Sequence, residues 1–274
     1  MRLRTLPVSL AGVIAGCGYA AHSGSFRLIP AALCFAVAFL AQIASNFANE
    51  YFDYRNGLDR PGREGPRRGV TEGDITPRAM LTATLATLGA ACAAGLCLTL
   101  YGPAWIILVG IAIALGVLAY STGPYPLSHH GLGEVAVIIF FGLIPVNFTA
   151  WLQSGAWTSE CFLGSIAIGL MGANVLIINN YRDAADDRSV GKHTLAVLIG
   201  PRAMPWLYAA NAVVATLLVM PQWQGCGMLV PGFYLTAAIA VSAVMPRLKG
   251  RRLTPLLGIT AVLMFIYSLL FAIL

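Results

Sequence analysis

Nine apolar runs, each close to the length that crosses a bilayer, restrict the folds open to this chain more than any other feature. They lie at about 5–22, 28–48, 80–100, 104–120, 134–151, 161–180, 203–220, 228–245 and 255–273. A helix crosses the hydrocarbon with about 20 mostly apolar residues. Barrel strands would be shorter and would alternate apolar with polar positions, which these runs do not. Inside lipid the backbone must bond within its own segment, which also favours helices. Composition agrees: of 274 residues, 58% are hydrophobic and 10% charged, against roughly 25% charged in a soluble domain. We expect one all-α, polytopic membrane domain over residues 1–274 with nine transmembrane helices. The start MRLR runs into an ordinary span without a small-residue cleavage site, so no cleavable leader is expected. Cys17, Cys34, Cys92, Cys97, Cys161 and Cys226 have neither metal-ligand spacing nor a disulfide pattern and read as small packing residues.

With the N-terminus inside, connections 51–79, 121–133, 181–202 and 246–254 fall on one face. Of the 17 Lys and Arg residues only Arg27 lies in an opposite-side loop. Basic residues gather on cytoplasmic loops, which assigns this face, and the N-terminus, to the cytoplasm of an inner or plasma membrane. Topology thus accounts for the net charge of +6, and no basic groove on a water-exposed domain points to nucleic acid. Ten of the 11 acidic residues lie on the same face or within a turn of it, and only Glu160 lies opposite. Asp and Glu contribute little to orientation, so something else gathers carboxylates there.

The second run ends in NFANEYFDYRNGLD (Asn46–Asp59) and the sixth in NNYRDAADD (Asn179–Asp187). Asn49 and Asp53 are four apart, as are Asn179 and Asp183, at an offset of 130 residues. Four crossings separate the two stretches, which points to a four-helix unit used twice plus a ninth helix; repeats about an axis along the membrane normal put equivalent residues on one side. Residues at i and i+4 share a helix face, so Asn49 points with Asp53, and Asn179 with Asp183 and Asp187. Asp59 follows Gly57, where the chain can leave the helix and carry the carboxylate back over the site. Polar residues at helix ends often merely cap or solvate them, but two matched pairs with further aspartates beyond each argue against that. Asp186 points away as a solvated neighbour, and Glu50 sits roughly 100° round the helix from Asn49.

Carboxylate and amide oxygens suit Mg²⁺, which keeps waters and binds substrate phosphates through one or two carboxylates. Bridged by metal, clustered aspartates become a trap for diphosphate. Nearby cations complete such a clamp: Arg63, Arg67 and Arg68 after the first cluster, and Arg182, Arg188 and Lys192 after the second. Arg is fitted to bidentate phosphate contact.

At these residues the sequence resembles the UbiA-type superfamily of intramembrane aromatic prenyltransferases, nearly end to end. RTLP (Arg4–Pro7) looks like its opening. Asn49-x-x-x-Asp53 with Asp59, and Asp183-x-x-x-Asp187, resemble its two aspartate-rich motifs. GPRRGVTEGDIT (65–76), GPYPLSHHGLGE (123–134) and NNYRDAADDRSVGKHTLAVLIG (179–200) look most like the branch that prenylates 1,4-dihydroxy-2-naphthoate in menaquinone synthesis. The resemblance implies a central cavity among nine helices, and two Mg²⁺ ions holding a polyprenyl diphosphate at the cytosolic mouth. On it the metal ligands would be Asn49, Asp53, Asp59, Asn179, Asp183 and Asp187. Asp53, Asp183, Asp187, Lys192 and Tyr120 would serve catalysis. Asn46, Arg63, Arg67, Arg68, Arg182, Tyr125 and Asn147 would bind substrate. Glu50 stands where the family usually has Asp, and Asp59 lies six after Asp53 where many members have four.

Tyr120 and Tyr125 either touch phosphate or belong to the interfacial aromatic belt. Glu134 either starts a helix in favour of its dipole or orients the acceptor. His129, His130 and His193 read as solvated or hydrogen-bonded loop residues. Asn147, within a span, needs a partner, as acceptor ligand or helix bridge. Arg4 either reaches the diphosphate or anchors the first span, and Arg247, Lys249, Arg251 and Arg252 read as contacts to anionic lipid. Rival readings are another acceptor (4-hydroxybenzoate, homogentisate or a glycerol phosphate) on the same fold, or a cation-coupled transporter. Transporter sites lie near the midplane, whereas the middles of these spans carry no carboxylate.

Overall fold

The computed structural model describes residues 6–59 and 67–274, and every regular element among them is helical. In chain order these are α1 (Leu6–His22), α2 (Leu28–Arg55), α3 (Pro77–Cys97), α4 (Ile106–Ala119), α5 (Gly133–Val137), a π-helical stretch (Ile138–Leu143) and α6 (Ile144–Ser154). Then come α7 (Ser159–Ser189), α8 (Leu195–Leu198), α9 (Met204–Val219), α10 (Leu229–Val244) and α11 (Thr254–Ile273). Among the described residues, seven helical stretches are long and apolar enough to cross a membrane: Leu28–Arg55, Pro77–Leu100, Gly133–Ser154, Ser159–Ser189, Pro201–Gln222, Gly225–Arg247 and Gly250–Ile273. Leu6–His22 and Ile106–Ala119 are apolar but shorter.

Local chemistry accounts for several boundaries. Thr76 accepts the Ala79 N–H at 3.2 Å and Pro77 occupies the first turn, so α3 begins earlier than its apolar run. Pro145 has no N–H and cannot close an α-helical bond to the Phe141 carbonyl; the chain just ahead widens into the π turn. A Cβ on Gly142 would run into Gly169 and the Ser165 carbonyl, and one on Gly12 into the Phe141 carbonyl. These glycines let α1, the widened turn and α7 approach closely, as small residues do between helices in lipid.

The two acidic runs stay helical well past their apolar stretches, α2 to Arg55 and α7 to Ser189. Both stop the same way. Gly57 (φ +67°) ends α2 while Leu58 N–H bonds back to the Asp53 carbonyl at 2.8 Å. Gly191 (φ +75°) ends α7 while Lys192 N–H bonds back to the Asp187 carbonyl at 2.9 Å. These are glycine-terminated closures in which the residue after the glycine bonds back five positions. By this geometry Asp53 corresponds to Asp187, a shift of one turn from the Asn49/Asn179 alignment expected from the spacing.

Packing is uneven. The main core joins α7 to α1, α9, α10 and α11 through residues such as Ile168, Met171, Tyr208, Met264 and Tyr267. Around α2, α3 and α4 the buried clusters are small, for example Ala41, Ala44, Ala91 and Val117. Leu85, Leu108, Trp206, Leu217, Leu229 and Phe233 face outward, a dressing suited to lipid. At the end away from the acidic tips, the Arg27 guanidinium lies 5.4 Å from the Tyr101 ring centre. All six cysteines are free. Cys17 and Cys161 are buried and Cys34 half-buried, so packing fits these three, while Cys92, Cys97 and Cys226 are exposed.

Candidate active site

The tips of α2 and α7 meet at one end of the bundle. Asp53, 1% exposed, is the point where three connections converge. Lys192 Nζ, beyond α7, donates to its Oδ2 at 2.8 Å. His129 Nε2, between α4 and α5, lies 3.3 Å from its Oδ1. Arg68, beyond α2, approaches Oδ2 to 4.0 Å while its Nε lies 3.4 Å from Asp59 Oδ2. The same guanidinium donates to Asn49 Oδ1 at 3.4 Å, and Asn49 Nδ2 donates to Ser121 Oγ at 3.1 Å. Asp59 is buried beneath Arg68, where the turn at Gly57 carries it.

On α7, Arg182 grips residues of its own helix. Arg182 donates through Nε and Nη2 to the two oxygens of Asp183 at 2.6 and 3.0 Å, and through Nη2 to Asn179 Oδ1 at 2.9 Å. Asp187, one turn on, is buried, while Asp186 is half-buried. Asn49, Asp53, Arg68, Asn179, Asp183, Asp187 and Lys192 line one small polar pocket together. A second, apolar cavity of about 480 Å³ lies beneath it, walled by α1 to α7 with the π-helical turn, and by Leu257 of α11. Asn49, Tyr120, Leu176 and Asn179 line both spaces and mark their junction. Asn46 lies on the cavity side, one turn before Asn49. The compartment is therefore divided into a charged head chamber and a hydrocarbon-lined body.

Three residues expected to bind substrate stand elsewhere. Asn147 does not line either space: its Nδ2 donates to Ser165 Oγ at 2.7 Å and to the Leu143 carbonyl at 2.9 Å, joining α6 to α7 and meeting the need for a partner at that depth. Tyr125, 55% exposed, stacks on His130 with ring centres 3.8 Å apart. Arg67 is exposed and pairs with Asp74 at 2.8 Å, because Arg68, the next residue, takes the inward face. Arg63 lies outside the described residues, as does Arg4. Arg188 is exposed and reaches the Val197 carbonyl.

Other residues come to the site unannounced. Glu50 is buried and accepts the Val70 N–H at 3.2 Å, pinning the segment that carries Arg68. Its position beside Asn49 carries no signal of this, since the partner is a backbone group 20 residues away. His129, read as a loop histidine, is hydrogen-bonded at the centre. Ser128, Asn180 and Thr194, which the sequence did not single out, also line the polar pocket, as does Glu134, for which the sequence left helix start and acceptor orientation open. Among the described residues no three His, Cys, Asp or Glu side chains are gathered closely enough to hold an ion by themselves.

A family model described as the UbiA prenyltransferase family matches residues 9–269. The 1,4-dihydroxy-2-naphthoate octaprenyltransferase of Mycobacterium tuberculosis is 35% identical over 273 residues, covering 98% of this chain and 92% of that protein. Its namesake in Escherichia coli is 36% identical over 206 residues, 73% of this chain and 67% of that one. Among solved structures, the apo UbiA homolog of Aeropyrum pernix K1 superposes with a TM-score of 0.73 at 18% identity, covering 97% of this chain and 98% of that one. A UbiA homolog of Archaeoglobus fulgidus bound to DMAPP and Mg²⁺ gives 0.68 at 16% identity over 99% of both chains.

Proposed function

Because the chain belongs to the UbiA prenyltransferase family, we propose that this membrane enzyme transfers a polyprenyl group from its diphosphate to 1,4-dihydroxy-2-naphthoate, with loss of CO₂. One observation carries the reading: both acidic helix tips line a single polar pocket, and that pocket shares its wall with a large apolar cavity. A diphosphate head and an isoprenoid tail need those two surroundings joined at that junction. The acceptor is drawn from the relatives named for it.

The donor set fits Mg²⁺. Asn49, Asp53, Asn179, Asp183 and Asp187 offer hard oxygens around one pocket, and Mg²⁺ on a phosphate substrate asks a protein for only one or two carboxylates. Asp53, Asp183 and Asp187, with Asn49, Asn179 and Asp59 beside them, would hold two ions. When bound, Mg²⁺ supplies charge neutralisation for the departing diphosphate.

The chain's own residues do the rest. Arg68, Lys192 and Arg182 are held by carboxylates at the pocket and can turn their donors to phosphate oxygens, where charge develops as the allylic C–O bond breaks. Tyr120, at the junction, stands beside that bond. The apolar cavity keeps water from the allylic cation and holds the tail so that C1 faces the acceptor ring. The ring's electrons form the new C–C bond, diphosphate leaves with the C–O pair, and CO₂ departs as the ring regains aromaticity. No strong base is required.

The wider architecture belongs to the same reading: nine spans formed as two four-helix units and a ninth helix, in one domain, with site and N-terminus cytoplasmic. The clustering of basic residues on connections 51–79, 121–133, 181–202 and 246–254 supports that orientation. The test is transfer from one labelled polyprenyl diphosphate to a panel of aromatic acids by purified protein, with Mg²⁺ and with EDTA. Product with the dihydroxynaphthoate in Mg²⁺ alone is expected. Transfer only to 4-hydroxybenzoate or homogentisate would reassign the acceptor, and transfer undiminished by EDTA would refute the metal.

A further inference from the structure

Ser128 Oγ, Glu134 Oε2 and Thr194 Oγ1 are buried polar atoms without a hydrogen-bond partner, and all three residues line the polar pocket. Buried polar groups are otherwise almost always satisfied, so three orphans in one pocket ask for a ligand. They come from neighbouring segments: His193 N–H bonds to the His129 carbonyl at 2.9 Å, clasping the residues next to Ser128 and Thr194. Thr194 occupies the residue before α8 yet its hydroxyl does not cap that helix. Glu134 is 6% exposed, and its other oxygen accepts from Asn180 Nδ2 at 2.8 Å. Among the described residues no cation pairs with it, unlike Asp53 and Asp183.

We propose that Ser128, Glu134 and Thr194 form the acceptor subsite, taking an aromatic hydroxy acid whose ring hydroxyl donates to Glu134 Oε2 and whose carboxylate accepts from the two hydroxyls. The assignment rests on the transfer reading above and gives its acceptor a place. One carboxylate oxygen and two hydroxyls complement a molecule that pairs an O–H with an anionic oxygen. Diphosphate has no such donor, and the isoprenoid tail has no polar atom. Position agrees: two and three residues after Glu134, Ala136 and Val137 line the apolar cavity. Glu134 thus stands at the boundary where the scissile bond of a prenyl diphosphate has to lie.

The experiment measures initial rates of purified protein with 1,4-dihydroxy-2-naphthoate, a labelled polyprenyl diphosphate and Mg²⁺, each varied in turn. Glu134→Gln keeps size and the Asn180 contact. It is expected to raise the acceptor KM about tenfold or more, the scale of a lost charge-assisted hydrogen bond, leaving the prenyl diphosphate KM and the half-saturating Mg²⁺ within about twofold. Thr194→Val should raise the acceptor KM and Thr194→Ser restore it. The wild-type preference for the free hydroxyl over its methyl ether should shrink in Glu134→Gln, and the preference for the acid over 1,4-dihydroxynaphthalene should shrink in Thr194→Val and Ser128→Ala. An unchanged acceptor KM, or equal shifts in the prenyl diphosphate or Mg²⁺ response, overturns the subsite. Should Glu134→Gln not be recovered folded, the Thr194 and Ser128 variants decide by the same readout. A wild-type enzyme inactive with every aromatic acid would instead sink the transfer reading itself.

Discussion

Two acidic helix tips that read almost alike in sequence are held by different sets of partners. Asp53 is satisfied from outside its helix, by Lys192 after α7, His129 between α4 and α5, and Arg68 after α2. Asp183 is gripped from its own helix by the adjacent Arg182, which also binds Asn179. The helix-end closures sharpen the contrast, since they equate Asp53 with Asp187. Duplicated chemistry therefore does not mean duplicated structure: one tip knots three connections together, while the other presents its acids on a helix that is already the centre of the core.

If that distinction is right, Asp53→Ala and Asp183→Ala should both reduce transfer by about a hundredfold or more, but only Asp53→Ala should loosen the connections. It leaves Lys192 buried without its counter-charge, a change that typically costs about 3–5 kcal/mol. Limited proteolysis should then cut faster within 67–76 and 190–200, and equal protection in both variants would erase the contrast. A double-mutant cycle probes the knot further. Asp53→Asn and Lys192→Met should couple by about 1–3 kcal/mol in thermal stability, and additive effects would mean the pair holds nothing. Glu50→Ala should release the segment bearing Arg68, at about 1–3 kcal/mol for the stranded Val70 N–H, with a several-fold loss of rate; the cleavage rate within 67–76 checks it. Smallest should be Asp186→Ala, within about 0.5 kcal/mol of wild type and twofold in turnover. A fall as deep as that of Asp183→Ala would put the working face of α7 elsewhere.

Much of the fold was legible because lipid leaves few options: long apolar runs, basic loops and acids spaced by four sufficed for an all-helical bundle and for the residues that meet at its end. What stayed hidden depends on contacts between distant segments. No local pattern tells that Glu50 binds a backbone amide 20 residues on, that Arg68 and not Arg67 turns inward, or that Asn147 serves Ser165. Aromatic residues near a helix end look alike in sequence, so Tyr120 and Tyr125 read as a pair there, and only packing separates the first from the exposed second. Spacing also set the register of the tips a turn away from the one the closing glycines Gly57 and Gly191 impose.

The cavity walls carry a thermodynamic consequence. They are mostly hydrocarbon, like the acyl chains outside Leu108 and Leu217, so an isoprenoid tail passing from bilayer to protein exchanges one oil for another and gains little. Recognition then has to reside in the few polar atoms that grip the head, and lengthening or trimming the tail should hardly alter how tightly the donor is held.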